Sequence, residues 1–231
     1  MCNRFTLTLA DRVFLAAQLG VPVSDIPEED YRPRYNIAPT DWHWILRVKG
    51  EDREVLPARW GLVNSWTKEG TRPSRHLNAR AETLAKRGVF KDAFERRRCA
   101  IPADGFFEWR GPPQARQPIW YHKRDGGLLL FAGLYESWRP RPDEWERTFT
   151  IVTTAPNRLV AEVHDRMPVV LEGAALGDWL FGQTRDAEEL LGLLRPAPEE
   201  LLIATPVSPR VNSVRNDDPA CLEPMEQPAV G

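Results

Sequence analysis

Residues 119–138 read IWYHKRDGGLLLFAGLYESW. Two runs rich in aromatic and aliphatic residues flank a Gly-Gly pair at 126–127, the pattern of two strands joined by a tight turn. Shorter runs of similar kind recur on both sides: FTLTL at 5–9, WHWILRV at 42–48 with GEDRE as its hairpin connection, and LPARWGLVNSW at 56–66. CAIPADGFFEW at 99–109, FTIVTTAP at 149–156, RMPVVL at 166–171 and LIATPVS at 202–208 complete the set. EGTRPSR at 69–75 and RPRPDEWE at 139–146 read as loops.

Helical patterns are fewer. DRVFLAAQLG at 11–20 ends on a glycine, and residues 78–94, NARAETLAKRGVFKDAF, read as two helical pieces broken at Gly88. NRLVAEVH, LEGAALGDWLFG and DAEELLGLL follow. Strands and helices do not alternate regularly, which argues against a doubly wound sheet. The expectation is one α+β domain over residues 1–231, built on a mostly antiparallel, curled or barrel-like sheet with surrounding helices. The last ~15 residues, polar and proline-containing, are expected to form an irregular tail.

Composition narrows the function. No apolar run approaches the 18 or so residues of a membrane span, and the start lacks the apolar stretch of a signal peptide. The expected location is cytoplasmic, on the nucleoid when bound to DNA if the source is bacterial. Cys2, Cys99 and Cys221 are odd in number and widely spaced, and the histidines at 43, 76, 122 and 164 lack zinc-site spacing. No cofactor or metal is expected. Walker, GxGxxG and Ser-elbow signatures are absent.

The net charge of -2 conceals a split. Residues 183–231 carry nine acids against four bases, whereas residues 72–110 hold ten bases and five acids. Such a basic stretch is either a solvated face or a phosphate-holding surface. Trp60, Trp66 and neighbouring aromatics either fill the core or stack on unpaired bases.

Four strings can carry chemistry. Removal of Met1 would leave Cys2 with a thiol and a primary amine on adjacent carbons, able to attack one carbonyl twice. Retained in the chain, Cys2 is a small residue at the start of a strand. Asn78 and Arg80 share a face if they lie on a strand, Asn78 as donor and acceptor and Arg80 as a carboxylate or phosphate clamp. Glu82 is the local salt-bridge candidate for Arg80. Glu108 lies among Phe106, Phe107 and Trp109, where desolvation raises a carboxyl pKa unless a cation pairs with it. It is either a general acid and base or a structural ion pair. His164 and Arg166, two apart in HDRMP, can face one phosphate or serve the fold.

MCNRF at 1–5, RYNIAPT at 34–40, WGL at 60–62, NARAET at 78–83, RRCAIPADGFFEW at 97–109, HDRMPVVL at 164–171 and VNSVRND at 211–217 together resemble the SOS response-associated peptidase (SRAP) family. The resemblance spans nearly the whole chain, in the family's order. It implies a compact, mainly antiparallel barrel-like fold. It also implies a covalent thiazolidine between the N-terminal cysteine and the open-ring aldehyde of an abasic site in single-stranded DNA. On that likeness Cys2 is the linking residue, Asn78 holds the terminus, Glu108 handles protons and His164 sits beside the sugar and phosphate. Arg4, Arg80 and Arg166 fall where members contact phosphates, and Trp66 near residues that support the separated bases. The expected partner is single-stranded DNA carrying abasic sites, met by a monomer, with abasic-site lyase as a side activity. Two rival readings remain: an N-terminal-nucleophile cysteine peptidase or amide hydrolase, and a noncovalent single-strand binder. The chain departs from the family pattern at Asn64, at Trp42 and Trp44, and in AKRGV at 85–89.

Overall fold

The computed structural model describes residues 2–68, 76–141, 143–182 and 186–225. Met1 and the loop EGTRPSR therefore lie outside the described residues, as do residues 226–231 of the tail. The chain opens with β1 (Phe5–Leu7) and enters α1 (Arg12–Leu19). The Asp11 carboxylate caps that helix by accepting from the amides of Val13 and Phe14, and Gly20 ends it in the left-handed region. β2 (Arg34–Ile37) precedes the hairpin of β3 (Trp42–Lys49) and β4 (Asp52–Trp60), which turns at Gly50.

β5 (Asn78–Arg80) leads through a single 3-10 turn to α2 (Gly88–Arg96). Residues 78–80 are thus a strand where the periodicity suggested helix. Ala79 turns into the core, and the backbone of this segment pairs in parallel with a later strand. Helical propensity yields here to that tertiary pairing. β6 (Arg98–Ala103), β7 (Gly105–Arg110), β8 (Gln117–Lys123), β9 (Leu129–Arg141) and β10 (Glu144–Thr154) follow. The remainder comprises α3 (Arg158–Ala161), β11 (Met167–Pro168), α4 (Gly173–Phe181), α5 (Ala187–Gly192) and β12 (Leu202–Pro206).

Five strands close a ring in the order β10-β4-β3-β6-β9, because β9 pairs back onto β10. Every contact in the ring is antiparallel except β4 on β10. β5 adds to β10 in parallel and β11 in antiparallel. Gly133 of β9 is needed inside: a Cβ there would overlap Ile101 and crowd the Thr150 carbonyl. A second antiparallel sheet, β12-β8-β7-β1-β2, lies against this barrel. The α+β, barrel-like expectation holds.

The Gly-Gly hairpin does not. β8 pairs with β7 and β12, whereas β9 pairs with β6 and β10, so residues 124–128 carry the chain from one sheet to the other. The turn itself forms, with Gly126 at positive φ and Asp125 accepting from the Gly127 amide. Both edges of each strand are already filled, which no local pattern announces.

Phe5 joins the two sheets. Its ring meets Trp60 at 5.1 Å and Phe131 at 6.1 Å, both edge-on, while Phe106 packs on Phe131 and stacks on Tyr121. Each such ring, fully buried, contributes about 1.5–3 kcal/mol. Anchoring Phe5 fixes where residues 2–4 emerge.

Candidate active site

From that anchor the chain runs back to Cys2, whose side chain is buried and whose Sγ approaches the Arg4 carbonyl at 3.5 Å. β5 supplies Asn78: its side-chain amide donates to the Cys2 carbonyl at 3.0 Å and to Asn3 Oδ1 at 3.2 Å. β7 supplies Glu108, which shares a face with Phe106 and is 4% exposed. Burial pushes its carboxyl up to about 7. The Cys2 thiol is raised as well, first by burial and then by the Glu108 charge, so it rests protonated.

His164 comes from the turn after α3. Asn157 caps that helix through the Val160 amide, and the His164 amide closes onto the Val160 carbonyl. The Arg166 amide then donates to His164 Nδ1 at 3.0 Å. A neutral ring consequently carries its proton on Nε2, which lies 4.0 Å from Glu108 Oε2. Asp165 Oδ1, 3.1 Å from Nδ1, favours the charged ring instead. Burial outweighs it, and the imidazole pKa is pushed down.

Glu108 and His164 open onto a cavity of about 820 Å³, bordered also by Arg4, Trp109, Arg116 and Asn212. Arg4 is held at this wall by donating to Asn36 Oδ1 at 2.9 Å and to the Val211 carbonyl at 3.0 Å, with its guanidinium 5.8 Å from the Trp109 ring. Among the described residues no three His, Cys, Asp or Glu side chains gather to hold a metal ion.

Cys2 and Arg4 of the chain's start, Asn78, Glu108 and His164 thus converge from four separate stretches, Arg4, Glu108 and His164 on the cavity wall and Cys2 and Asn78 behind it. Arg80 and Trp66 stand exposed on the surface, and neither lines the cavity. Arg166 is nearly buried, its fork held on the Glu82 carboxylate at 2.7 and 2.9 Å and on the Thr153 carbonyl at 2.6 Å. Glu82 is therefore bound to Arg166, not to its sequence neighbour Arg80.

Sequence reasoning gave no role to Asn36, Trp109, Asn212 or Asp217. Asn36 donates to the carbonyls of Val211, Ser213 and Asn216, and Asp217 accepts from the amides of Tyr35 and Asn36. Asn212 accepts from the Trp109 indole at 2.6 Å. This clasp brings residues 209–218 to the cavity wall. Residues 209–222 carry two 3-10 turns, Pro209–Asn212 and Pro219–Leu222, with Cys221 buried beneath. The polar strings RYN and VNSVRND were the available signal, but nothing local ties one to the other.

Known proteins share this architecture and sequence. A crystal structure of a Bacteroides thetaiotaomicron protein superposes with a TM-score of 0.85 at 25% identity, over 97% of this chain and 100% of that one. The abasic site processing protein YoqW of Bacillus subtilis is 36% identical over 224 residues, covering 96% of this chain and 99% of the relative. The chicken abasic site processing protein HMCES is 33% identical over 232 residues, covering 86% of this chain and 68% of the relative. The sequence model described as SOS response associated peptidase matches residues 1–214, and the chain belongs to that SRAP family.

Proposed function

We propose that this protein captures abasic sites in single-stranded DNA by forming a thiazolidine through Cys2 once Met1 has been removed. The observation that carries the reading is the tether of Asn78 to the Cys2 carbonyl, beside a carboxyl poised near neutrality. The names of the relatives, abasic site processing proteins, point to the same substrate class.

The steps balance as follows. The abasic hemiacetal opens to its aldehyde, a proton passing to the ring oxygen. The Cys2 amine adds to C1′, and the carbinolamine loses its hydroxyl with one proton as water, leaving an imine. The Cys2 sulfur then bonds to the imine carbon while its proton ends on nitrogen, closing the five-membered ring. One water is released overall. A thiol held protonated needs an acceptor in the last step, and a group titrating near 7 both gives and takes protons at neutral pH. Glu108 takes that role. His164, with Nε2–H toward Glu108, would hold the sugar oxygen. Arg4 and Arg116 at the cavity would receive phosphates without reading sequence. Confining amine, thiol and aldehyde together replaces two encounters by none, worth several kcal/mol of barrier. The same imine permits β-elimination on the 3′ side as a lyase side reaction.

Intact mass of the purified protein, followed by incubation with single-stranded DNA bearing one abasic site and a denaturing gel, tests this reading. Loss of Met1 and a heat-stable shifted band, absent with Cys2→Ala, are the expected results. An unblocked Cys2 that yields no shifted band would overturn it. Turnover of an amide substrate without DNA would then identify a hydrolase, and binding without a stable band a noncovalent reader.

A further inference from the structure

Trp42 and Trp44 lie two residues apart on β3 and so face the same way, opposite Arg59 and Pro57 of β4. Farther along this face Leu46 and Val55 are buried, but Trp42 remains 49% exposed. The two indoles, Pro57 and Asp30 border a cavity of about 320 Å³ that shares no lining residue with the catalytic one.

The charge of this second cavity is one-sided. His43 also borders it, but its Nε2 sits 2.7 Å from the Pro102 carbonyl, and burial drives its pKa down to about 3. Its ring is neutral. Arg59, beside Trp42, is engaged elsewhere, donating to the Thr40 carbonyl at 3.0 Å and lying 3.6 Å from Glu146. Asp30 is the one formal charge on the wall, and among the described residues it takes part in no salt bridge. Glu28 and Glu29 precede it in the same 3-10 turn, Glu28 held by Arg12 at 3.2 Å.

We propose that this cavity receives an arginine side chain presented by a partner protein, its guanidinium against the Trp42 face and its N–H fork on the Asp30 carboxylate. Aromatic faces beside a lone carboxylate recognise a soft organic cation, and a planar guanidinium satisfies both at once. Three acids in one turn oppose a phosphate chain, which excludes a continuation of a DNA path. The site is open and its carboxylate exposed, so a single arginine side chain binds weakly, on the order of millimolar, a range that resonance shifts report, and a partner's flanking surface adds to it.

The test uses the full ¹⁵N-labelled chain and its indole N–H resonances, nine in number, with Trp42 and Trp44 assigned by Trp→Phe variants. A blocked Gly-Arg-Gly peptide should move the Trp42 and Trp44 resonances saturably, and the citrulline analogue should not. Asp30→Asn should weaken the arginine peptide about fivefold while leaving the other indole resonances in place. Absence of saturable shifts, equal response to citrulline, or a lysine peptide binding as well as arginine would overturn the assignment. Shifts caused instead by oligothymidylate, and strengthened by Asp30→Asn, would overturn it in favour of nucleic acid.

Discussion

The side-chain amide of Asn78 bonds the carbonyl of Cys2 and Asn3 Oδ1 together, so one β5 residue fixes two residues of the chain's start. The amide acts only as donor here, and a carboxylate in its place would repel both oxygens. Asn78→Asp and Asn78→Ala should each slow crosslinking about tenfold, the value of one well-placed hydrogen bond. Single-turnover gel time courses measure the rate. Melting temperature should hardly move, because Asn78 is only partly buried.

Glu108 couples stability to pH. Its carboxyl titrates near 4.5 when exposed and at about 7 in the fold, so folding favours the protonated form. Stability is complete below pH 4.5 and is lost as pH rises through 7, by up to about 3 kcal/mol at full ionisation. Glu108→Gln removes that loss. It should unfold at higher urea than the parent at pH 8 and match it near pH 4.5. Crosslinking by the parent should peak near pH 7, where both forms of the carboxyl are present, and the variant should be slow at every pH. Coincident urea midpoints at pH 8 would show that Glu108 carries no buried charge.

Arg166 is held by Glu82 and Thr153, and its own amide orients His164. Arg166→Lys loses the fork, since an ammonium cannot bridge both carboxylate oxygens in one plane. The expected cost is about 1–3 kcal/mol, or several degrees in melting temperature. A phosphate-binding Arg166 predicts the opposite pattern: an unchanged melt and a shallower salt dependence of DNA affinity. Calorimetry beside a salt titration separates the two.

Most of the strands were legible in the sequence, but not how they meet. Alternation in WHWILRV and the turn at Gly50 were enough to place the β3–β4 hairpin, because hairpin pairing is local. The runs at 119–138 were also strands, yet their partners are set by edges filled from elsewhere in the chain. Asn78 sat in a helix-like string because its strand character comes from β10, some seventy residues on. Glu108 was legible from its aromatic neighbours alone, since desolvation is a property of composition as well as of fold. Arg166 was not, because its carboxylate partner Glu82 lies 84 residues away. Asn36 and Asp217, separated by most of the chain, had no local signature.

That last pair carries a stability prediction. The Asp217 carboxylate accepts from two backbone amides of β2 and from Arg34 and Arg32, with its side chain 15% exposed. Asp217→Ala leaves those two amides without an acceptor and Arg34 with Asp41 as its remaining carboxylate, a loss of about 1–3 kcal/mol. Asp217→Asn keeps an acceptor but not the charge, and should cost roughly half as much. Urea midpoints give the ordering. The clasp also governs local opening: with Asp217 gone, residues 211–216 keep the bonds from Asn36, from Arg4 to the Val211 carbonyl and from the Trp109 indole to Asn212. Trypsin should then cut after exposed Arg215 several times faster than in the parent, under conditions where the barrel stays folded. Equal cleavage rates would mean that the ties from Asn36, Arg4 and Trp109 suffice and that Asp217 serves only the β2 edge.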